Sequence, residues 1–434
     1  AQGGFDAVIG NPPYLKEANN KDSFEILRKS NINKYCIGKM DIWYAFACKS
    51  LDITKRGGYH SFIATNNWIT NNGAIILREK FMQEARILSF VNFADYKVFE
   101  DASIQTMVYV LVKKDQSSTY DIKYLKIFDK NLSEIQINEI IRNIDVISSD
   151  WVISTIDPRR GEKPFTLVRK DINDILIKIE NASTKHFANH EIGNGIDLLQ
   201  DFVTKRHLSK LKSNAKIGDG VFVLTHEEKE KVAITDDDSN KIKPYFTSEN
   251  IGRYYANNNN SYWIIYADKE VRENIKNYPG IKEHLDHFKP ILTSVYAPYG
   301  LHRPREEKFY NGQNILSIRK TRRASFSLVN FPCYVSRVFL IIKPTSFNES
   351  NKYLLGILNS QLIQFWLYFK GKKQGDQLQV DKDPLLKIPI REVDFSDSED
   401  VIIHDQIVML VNNMLKLHKR NPQTPYEQEL LQRE

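Results

Sequence analysis

Asn11-Pro12-Pro13-Tyr14 follows directly on FDAVIG, a short apolar run from Phe5 to Gly10 that reads as a buried strand. The four residues could do chemistry together. Proline fixes its own φ and restrains the residue before it, so two in succession hold Asn11 and the Pro12 carbonyl at set angles. The Asn11 side chain and that carbonyl can both accept hydrogen bonds from one incoming amino group. Pro13 completes the rigid turn, and Tyr14 adds a flat aromatic face beside it. This set suits the exocyclic amine of adenine, whose lone pair is delocalised into the ring. Two acceptors on its hydrogens favour a more tetrahedral nitrogen with an available lone pair. An aromatic ring can stack on the base once it has left the helix. A methyl donor held in line then completes a displacement that depends mainly on positioning. The plainer alternative is a structural turn that contains two prolines. The strand in front of it favours the chemical reading.

Other chemistries find less support. Cys36, Cys48 and Cys333 are too few and too scattered for a disulfide framework or a zinc site, which points to a reducing, cytoplasmic setting. The histidines are dispersed, without metal-ligand spacing, so no metal is expected. No apolar run is long enough to span a bilayer. The net charge of +7 leans mildly towards a polyanionic partner, and its distribution says more. Between His302 and Arg323 stand Arg303, Arg305, Lys308, Arg319, Lys320, Arg322 and Arg323, against only Glu306 and Glu307.

The 434 residues, 41% of them hydrophobic, imply two to three globular domains. Strand and helix signals alternate at first. FDAVIG is followed by a helix over DIWYAFACKSLDIT, stopped by KRGG, and then by a strand and polar loop in YHSFIATNNWI. GAIILREKFMQEARI is helical, LSFVNFAD is a strand, and SIQTMVYVLVKKD is a longer strand. This rhythm predicts a parallel, doubly wound α/β sheet, with TMVYVLV antiparallel at its edge. That part covers residues 1–125. Residues 126–185 read as a helical connection with a boundary near STIDPRRGEKP, and 186–392 as short strands and polar loops with one helix near NKYLLGILNSQLIQFWLYF. An acidic linker, REVDFSDSED, leads to a basic amphipathic helix within residues 400–434. Met414, Leu415 and Leu417 share one face of it, which suits packing on its own chain or on a partner helix rather than on a membrane.

In this order the stretches resemble the gamma-class N6-adenine DNA methyltransferases with a TaqI-like C-terminal specificity domain, as in type IIG restriction–modification enzymes. FDAVIGNPPY matches the catalytic motif. GKMDIWYAFACKSLDITKRGGYHSFIATNNWI resembles the helix, glycine turn and strand that follow it. DYKVFEDASIQTMVYVLV resembles the later motif whose phenylalanine stacks on the flipped base, which implies that Phe99 packs opposite Tyr14. A core aromatic at a strand end is the alternative for Phe99. KPYFTSENIGRYY, YPGIKEHLDHFKPIL, LHRPREEKFYNGQNILSIRK and YLLGILNSQLIQFWLYFKG…KIPI resemble the target-recognition domain. The resemblance implies double-stranded DNA as substrate and S-adenosylmethionine as methyl donor. It makes Arg303, Arg305, Arg319, Lys320, Arg322, Arg323, Lys370, Lys372 and Lys373 candidates for DNA contact. Arginine can read guanine through two hydrogen bonds, and lysine mostly anchors phosphate. A solvated surface is the alternative for each.

The departure from the family pattern concerns the cofactor. Its glycine-rich loop precedes the catalytic motif in this class, and only ten residues precede Asn11. HEIGNGID, with Gly193 and Gly195, and IGDG, with Gly218 and Gly220, lack a convincing βαβ context. Asn11 alone would border the donor. The expectation is therefore an N-terminally truncated fragment: the C-terminal half of a Rossmann-like methyltransferase sheet, a mixed α/β target-recognition domain and a C-terminal helix that looks unfinished at PYEQELLQRE. An upstream methyltransferase and nuclease region, or a partner chain, would supply the rest. The alternative function is a DNA-recognition fragment that catalyses nothing.

Overall fold

In the computed structural model, six strands of the first unit, Ala1–Ile177, build one mixed sheet. The structure describes residues 3–99, 104–115, 117–127, 129–142, 151–160, 165–211, 215–374 and 377–419. The GEKP end of the expected boundary and the terminal PYEQELLQRE lie outside these residues. The strands are β1 (Phe5–Gly10), β2 (Thr54–Thr65), β3 (Ala85–Asn92), β4 (Thr106–Lys113), β5 (Tyr120–Lys126) and β6 (Trp151–Ile156), in the order β1-β2-β4-β3-β5-β6. The helices are α1 (Lys21–Lys29), α2 (Ile42–Ile53), α3 (Ile75–Glu84), α4 (Glu134–Arg142) and α5 (Lys170–Asn181).

Helical spacing explains how α2 and α3 pack. α2 buries Trp43, Tyr44, Ala47, Cys48 and Leu51, and α3 buries Leu77, Arg78, Phe81 and Met82. These positions recur every three to four residues and form a stripe. Each large apolar side chain so buried contributes about 1.5–3 kcal/mol. Arg78 is fully buried and donates through Nη1 to the carbonyls of Trp68 and Asn71, both at 2.7 Å. It thereby ties α3 to the polar loop after β2.

Four features differ from the sequence reading. β4 is antiparallel, but it lies between β2 and β3 and not at an edge. Met107, Tyr109 and Leu111 are fully buried, and Val108 and Val110 are half-buried on the other face, as a central strand requires. β1 is not buried: among the described residues it pairs only with β2, leaving Ile9 82% exposed and Phe5 59%. α2 ends before KRGG, at Ile53, and KRGG lies inside β2 as an irregularity, where the register jumps from Phe5↔Thr54 to Ala7↔Tyr59. Gly57 takes φ +82 there, a left-handed angle that costs glycine little. Finally, the sheet continues past residue 125 through β5 and β6.

The second unit, Lys178–Glu434, carries three smaller sheets. Its strands are β7 (Ile192–Asn194), β8 (Val223–Leu224), β9 (Ile242–Phe246), β10 (Tyr254–Tyr255), β11 (Tyr262–Ile265), β12 (Asn314–Ile318), β13 (Lys320–Thr321), β14 (Phe326–Val329), β15 (Tyr334–Val335), β16 (Phe339–Ile342), β17 (Lys372–Gln374) and β18 (Gln377–Gln379). They pair as β10-β14-β12-β16-β7, β15-β9-β11-β8 and β13-β18-β17. The apolar stretch NKYLLGILNSQLIQFWLYF forms two helices, Asn351–Asn359 and Gln361–Lys370, rather than one. Ser360 divides them. Its backbone is extended, and its hydroxyl accepts from the Ile363 amide, a cap that starts the second helix. The helix Ser398–Lys419 begins inside the acidic linker, taking Ser398, Glu399 and Asp400 into its first turn. Among the described residues no helix is long and apolar enough to cross a membrane.

Candidate active site

β1 and β2 are parallel, and β2 and β3 both run antiparallel to the strand between them. The carboxyl ends of β1, β2 and β3 therefore share one edge of the sheet, where β4 begins. Open α/β sheets bind ligands outside such ends. Asn11–Tyr14, Asn66–Asn67 and the β3–β4 connection with Phe99 all leave the sheet there.

The Asn-Pro-Pro-Tyr turn is held by its own tyrosine. The Tyr14 hydroxyl lies 2.7 Å from Asn11 Oδ1 and 2.7 Å from the Ile63 carbonyl oxygen, and shares its proton between them. Asn11 and Pro13 are exposed, Pro12 is buried and Tyr14 is half-buried. Burial, and then the nearby Asp41 carboxylate, push the Tyr14 pKa up to about 12. Tyr14 thus remains a hydrogen-bond donor at neutral pH. The sequence reading gave Tyr14 a stacking face only and missed this brace.

The segment that follows is pinned to the start of α2. The Ile42 amide donates to the Leu15 carbonyl at 2.9 Å, and the Glu17 amide to the Met40 carbonyl at 3.0 Å. Arg28 pairs with Glu17 at 2.9 Å and donates to the Gly38 carbonyl. Asp41, 3% exposed, precedes α2, and burial raises its pKa. Its Oδ1 makes no hydrogen bond among the described residues.

A second polar group went unnoticed in the sequence. Thr65 Oγ1 accepts from Trp43 Nε1 at 3.0 Å and donates to Asn67 Oδ1 at 3.0 Å. Asn66 Nδ2 donates to Asn92 Oδ1 at 3.0 Å, which also accepts from the Ala94 amide. The available signal was TNN at the end of one strand and Asn92 at the end of another. Phe99 is half-buried, and no ring contact joins it to Tyr14.

The basic candidates divide. Arg303 is exposed, and its carbonyl accepts from the Asp197 amide. Arg305 is half-buried at φ 71, and its carbonyl accepts from the Tyr266 hydroxyl at 2.9 Å. Arg319 is committed to Asp381, with Nε at 2.9 Å and Nη2 at 2.6 Å. Lys320, Arg322 and Arg323 are exposed around β13. Lys370 pairs with Glu180 at 3.2 Å. Lys372 is exposed and lies 3.8 Å from Asp381, while the Lys373 side chain lies outside the described residues. The β13-β18-β17 sheet thus groups Lys320 and Lys372, with Arg319 bound to Asp381 beside them.

Three of the four glycines face protein, and Gly218, at φ +95, has nothing within 4 Å of its Cβ position. A Cβ on Gly193 would meet the Phe309 ring at 2.6 Å, and one on Gly195 the Ser336 carbonyl oxygen at 2.1 Å. One on Gly220 would meet the Val223 carbonyl oxygen at 2.3 Å. Gly193, Gly195 and Gly220 thus permit close packing of this chain on itself, and the space beside these three does not fit an adenosyl group.

Comparison with known proteins gives two domain matches. Residues 1–99 match the Eco57I restriction-modification methylase family, and residues 243–390 the TaqI-like C-terminal specificity domain. The chain is 22% identical to the type II methyltransferase M.HincII of Haemophilus influenzae, over 95% of its own length and 78% of that protein. It is 24% identical to the type II restriction enzyme and methyltransferase RM.Eco57I of Escherichia coli, over 96% of its own length and 43% of that protein. The solved type IIL restriction-modification enzyme MmeI, in complex with DNA, shares the fold with a TM-score of 0.57 at 12% identity. That match covers 96% of this chain, which spans about half the length of the MmeI chain, 50%. A methylase family thus matches the start of the chain and a specificity-domain family its later part, an arrangement similar to that of type II restriction–modification methyltransferases.

Proposed function

We propose that this chain is part of a site-specific DNA methyltransferase that modifies the N6 amine of a flipped-out adenine. The observation that carries the reading is the bond from the Tyr14 hydroxyl to Asn11 Oδ1 at the carboxyl end of β1. An asparagine that must accept from a weakly nucleophilic amine gains from a fixed amide plane, since an acceptor already in place costs no reorganisation. Asn11 Oδ1 and the Pro12 carbonyl take the two amine hydrogens in this scheme. Tyr14 and Phe99 flank the base, and the exposure of Asn11 leaves it accessible to one.

S-adenosylmethionine would supply the methyl group, and of the residues named here only Asn11 borders its site. The second unit supplies DNA recognition, with its exposed basic residues on phosphate or base edges. The close packing at Gly193, Gly195 and Gly220 favours a second reading, in which the chain recognises DNA and transfers nothing by itself.

One experiment separates the two. The full chain is incubated with labelled S-adenosylmethionine and an adenine-containing duplex of mixed sequence. Methyl transfer that disappears in Asn11→Ala, with DNA affinity retained, supports the enzyme. DNA binding with neither transfer nor calorimetric binding of S-adenosylmethionine supports the recognition module.

A further inference from the structure

The sheet β13-β18-β17 is small, but its register sorts its side chains sharply. Gln379 pairs with Lys320 of β13 on one side and with Lys372 of β17 on the other. Directly opposed residues share a face, and neighbours along a strand alternate. Lys320, Gln379 and Lys372 therefore form one row across three strands, with Gln377 on the same face two residues along. The other face carries Leu378, 3% exposed, and Val380 continues it at 1%. Lys320, Lys372 and Gln377 are exposed, and Gln379 is half-buried.

The carboxylate beside this row is already engaged. Asp381 accepts from Arg319 Nε and Nη2, and its Oδ2 accepts from Gln379 Nε2 at 2.7 Å. That bond fixes the plane of the Gln379 amide and leaves its carbonyl oxygen and second hydrogen available. The Gln377 side chain makes no hydrogen bond with a described residue. The surface thus presents an oriented amide between two ammonium groups, with a second amide next to it and Arg322 and Arg323 exposed on the following loop.

We propose that this face reads base edges in the major groove of duplex DNA, an inference that rests on the function proposed above. Three strands about 4.8 Å apart span roughly 10 Å. The major groove is about 12 Å wide. A glutamine amide offers the donor and acceptor pair that adenine matches with N7 and N6. Gln377 and Gln379 are the specificity-determining groups, and Lys320 and Lys372 hold the flanking phosphates.

The test selects duplexes from a randomised pool with the full chain and sequences what is retained. Gln377→Ala and Gln379→Leu should each relax the preference at one or two base positions, roughly tenfold or more. Their affinity for non-selected duplex and their melting temperatures should stay unchanged. Lys320→Gln with Lys372→Gln should weaken all duplexes alike. It should also flatten the slope of log affinity against log salt by about one to two. If both glutamine variants select the wild-type sequence with wild-type preference, the assignment is overturned while sequence-specific recognition stands. If the wild-type chain binds no duplex, both this assignment and the proposed function are overturned.

Discussion

The two polar surfaces of this protein are built on opposite plans. At the end of β1 the proposed acceptors and ring lie within four consecutive residues, and Tyr14 braces Asn11 from three positions away. On the small sheet of the second unit the row Lys320–Gln379–Lys372 exists only because three strands pair in register, and 62 residues separate Arg319 from the Asp381 it holds. A site encoded locally keeps its shape through backbone restraint and short-range bonds. A site assembled by register depends on the packing of Leu378 and Val380 beneath it.

The sharpest way to break the first plan is Asn11→Ala. It removes an amine acceptor and leaves the Tyr14 hydroxyl bonded to Ile63 alone. Methyl transfer should fall by about 10³-fold, in line with loss of a preorganised polar group at a reacting centre. Duplex affinity should be nearly unchanged, as a gel-shift titration would show. Equal loss of both would mean that Asn11 serves binding rather than chemistry.

The next effect concerns the interior of β2, the strand that also supplies Ile63. His60 is fully buried among the rings of Phe62, Phe81 and Tyr109, and neither ring nitrogen has a partner among the described residues. Burial pushes its pKa down to about 4. The unfolded chain takes up the proton first, near the ordinary histidine value of about 6.5. Stability is therefore complete above that pH and is lost as the pH falls towards 4, by roughly 3 kcal/mol in the limit. His60→Phe should flatten this dependence in urea unfolding midpoints compared at pH 7, 5.5 and 4.5. An unchanged slope would place the acid sensitivity elsewhere.

These two residues also show what the sequence made legible. The restrained turn at Asn11 could be read because proline restraint acts over four positions, and α2, α3 and β3 because their apolar spacing is regular. The central place of β4 was not legible, since pairing order depends on which neighbours bury both faces of the strand. The exposure of β1 was hidden for the same reason: FDAVIG is apolar enough for either fate. Gln377 and Gln379 carried no signal alone, because an amide becomes part of a surface only when register sets lysines beside it. Arg319 resembled its basic neighbours until Asp381 appeared next to it.

A smaller effect is expected from Tyr14→Phe, which keeps the ring and removes the brace. Loss of one hydrogen bond to a group that water can then reach costs about 1 kcal/mol. The turnover rate should drop about fivefold to tenfold, with KM for DNA nearly constant. A KM change without a rate change would assign the hydroxyl to substrate binding instead of to the orientation of Asn11.

The smallest effect tests whether Arg319 reads DNA or neutralises Asp381. Arg319→Ala would leave that carboxylate facing Gln379 and Lys372 without its guanidinium. The charge would repel phosphate and let the Gln379 amide reorient. Duplex affinity should fall about threefold to fivefold at low salt, and the difference should shrink as salt screens it. Arg319→Lys decides the cause. A lysine restores the charge but cannot offer the paired donors that an arginine gives to guanine. If neutralisation is the role, Arg319→Lys recovers most of the affinity and keeps the selected sequence. If Arg319 leaves Asp381 to contact a base, Arg319→Lys loses discrimination at a guanine position even where total affinity returns. The direct bonds from Nε and Nη2 to Asp381 favour the first outcome. That outcome would make Arg319 a support of the reading surface, as Tyr14 is a support of Asn11.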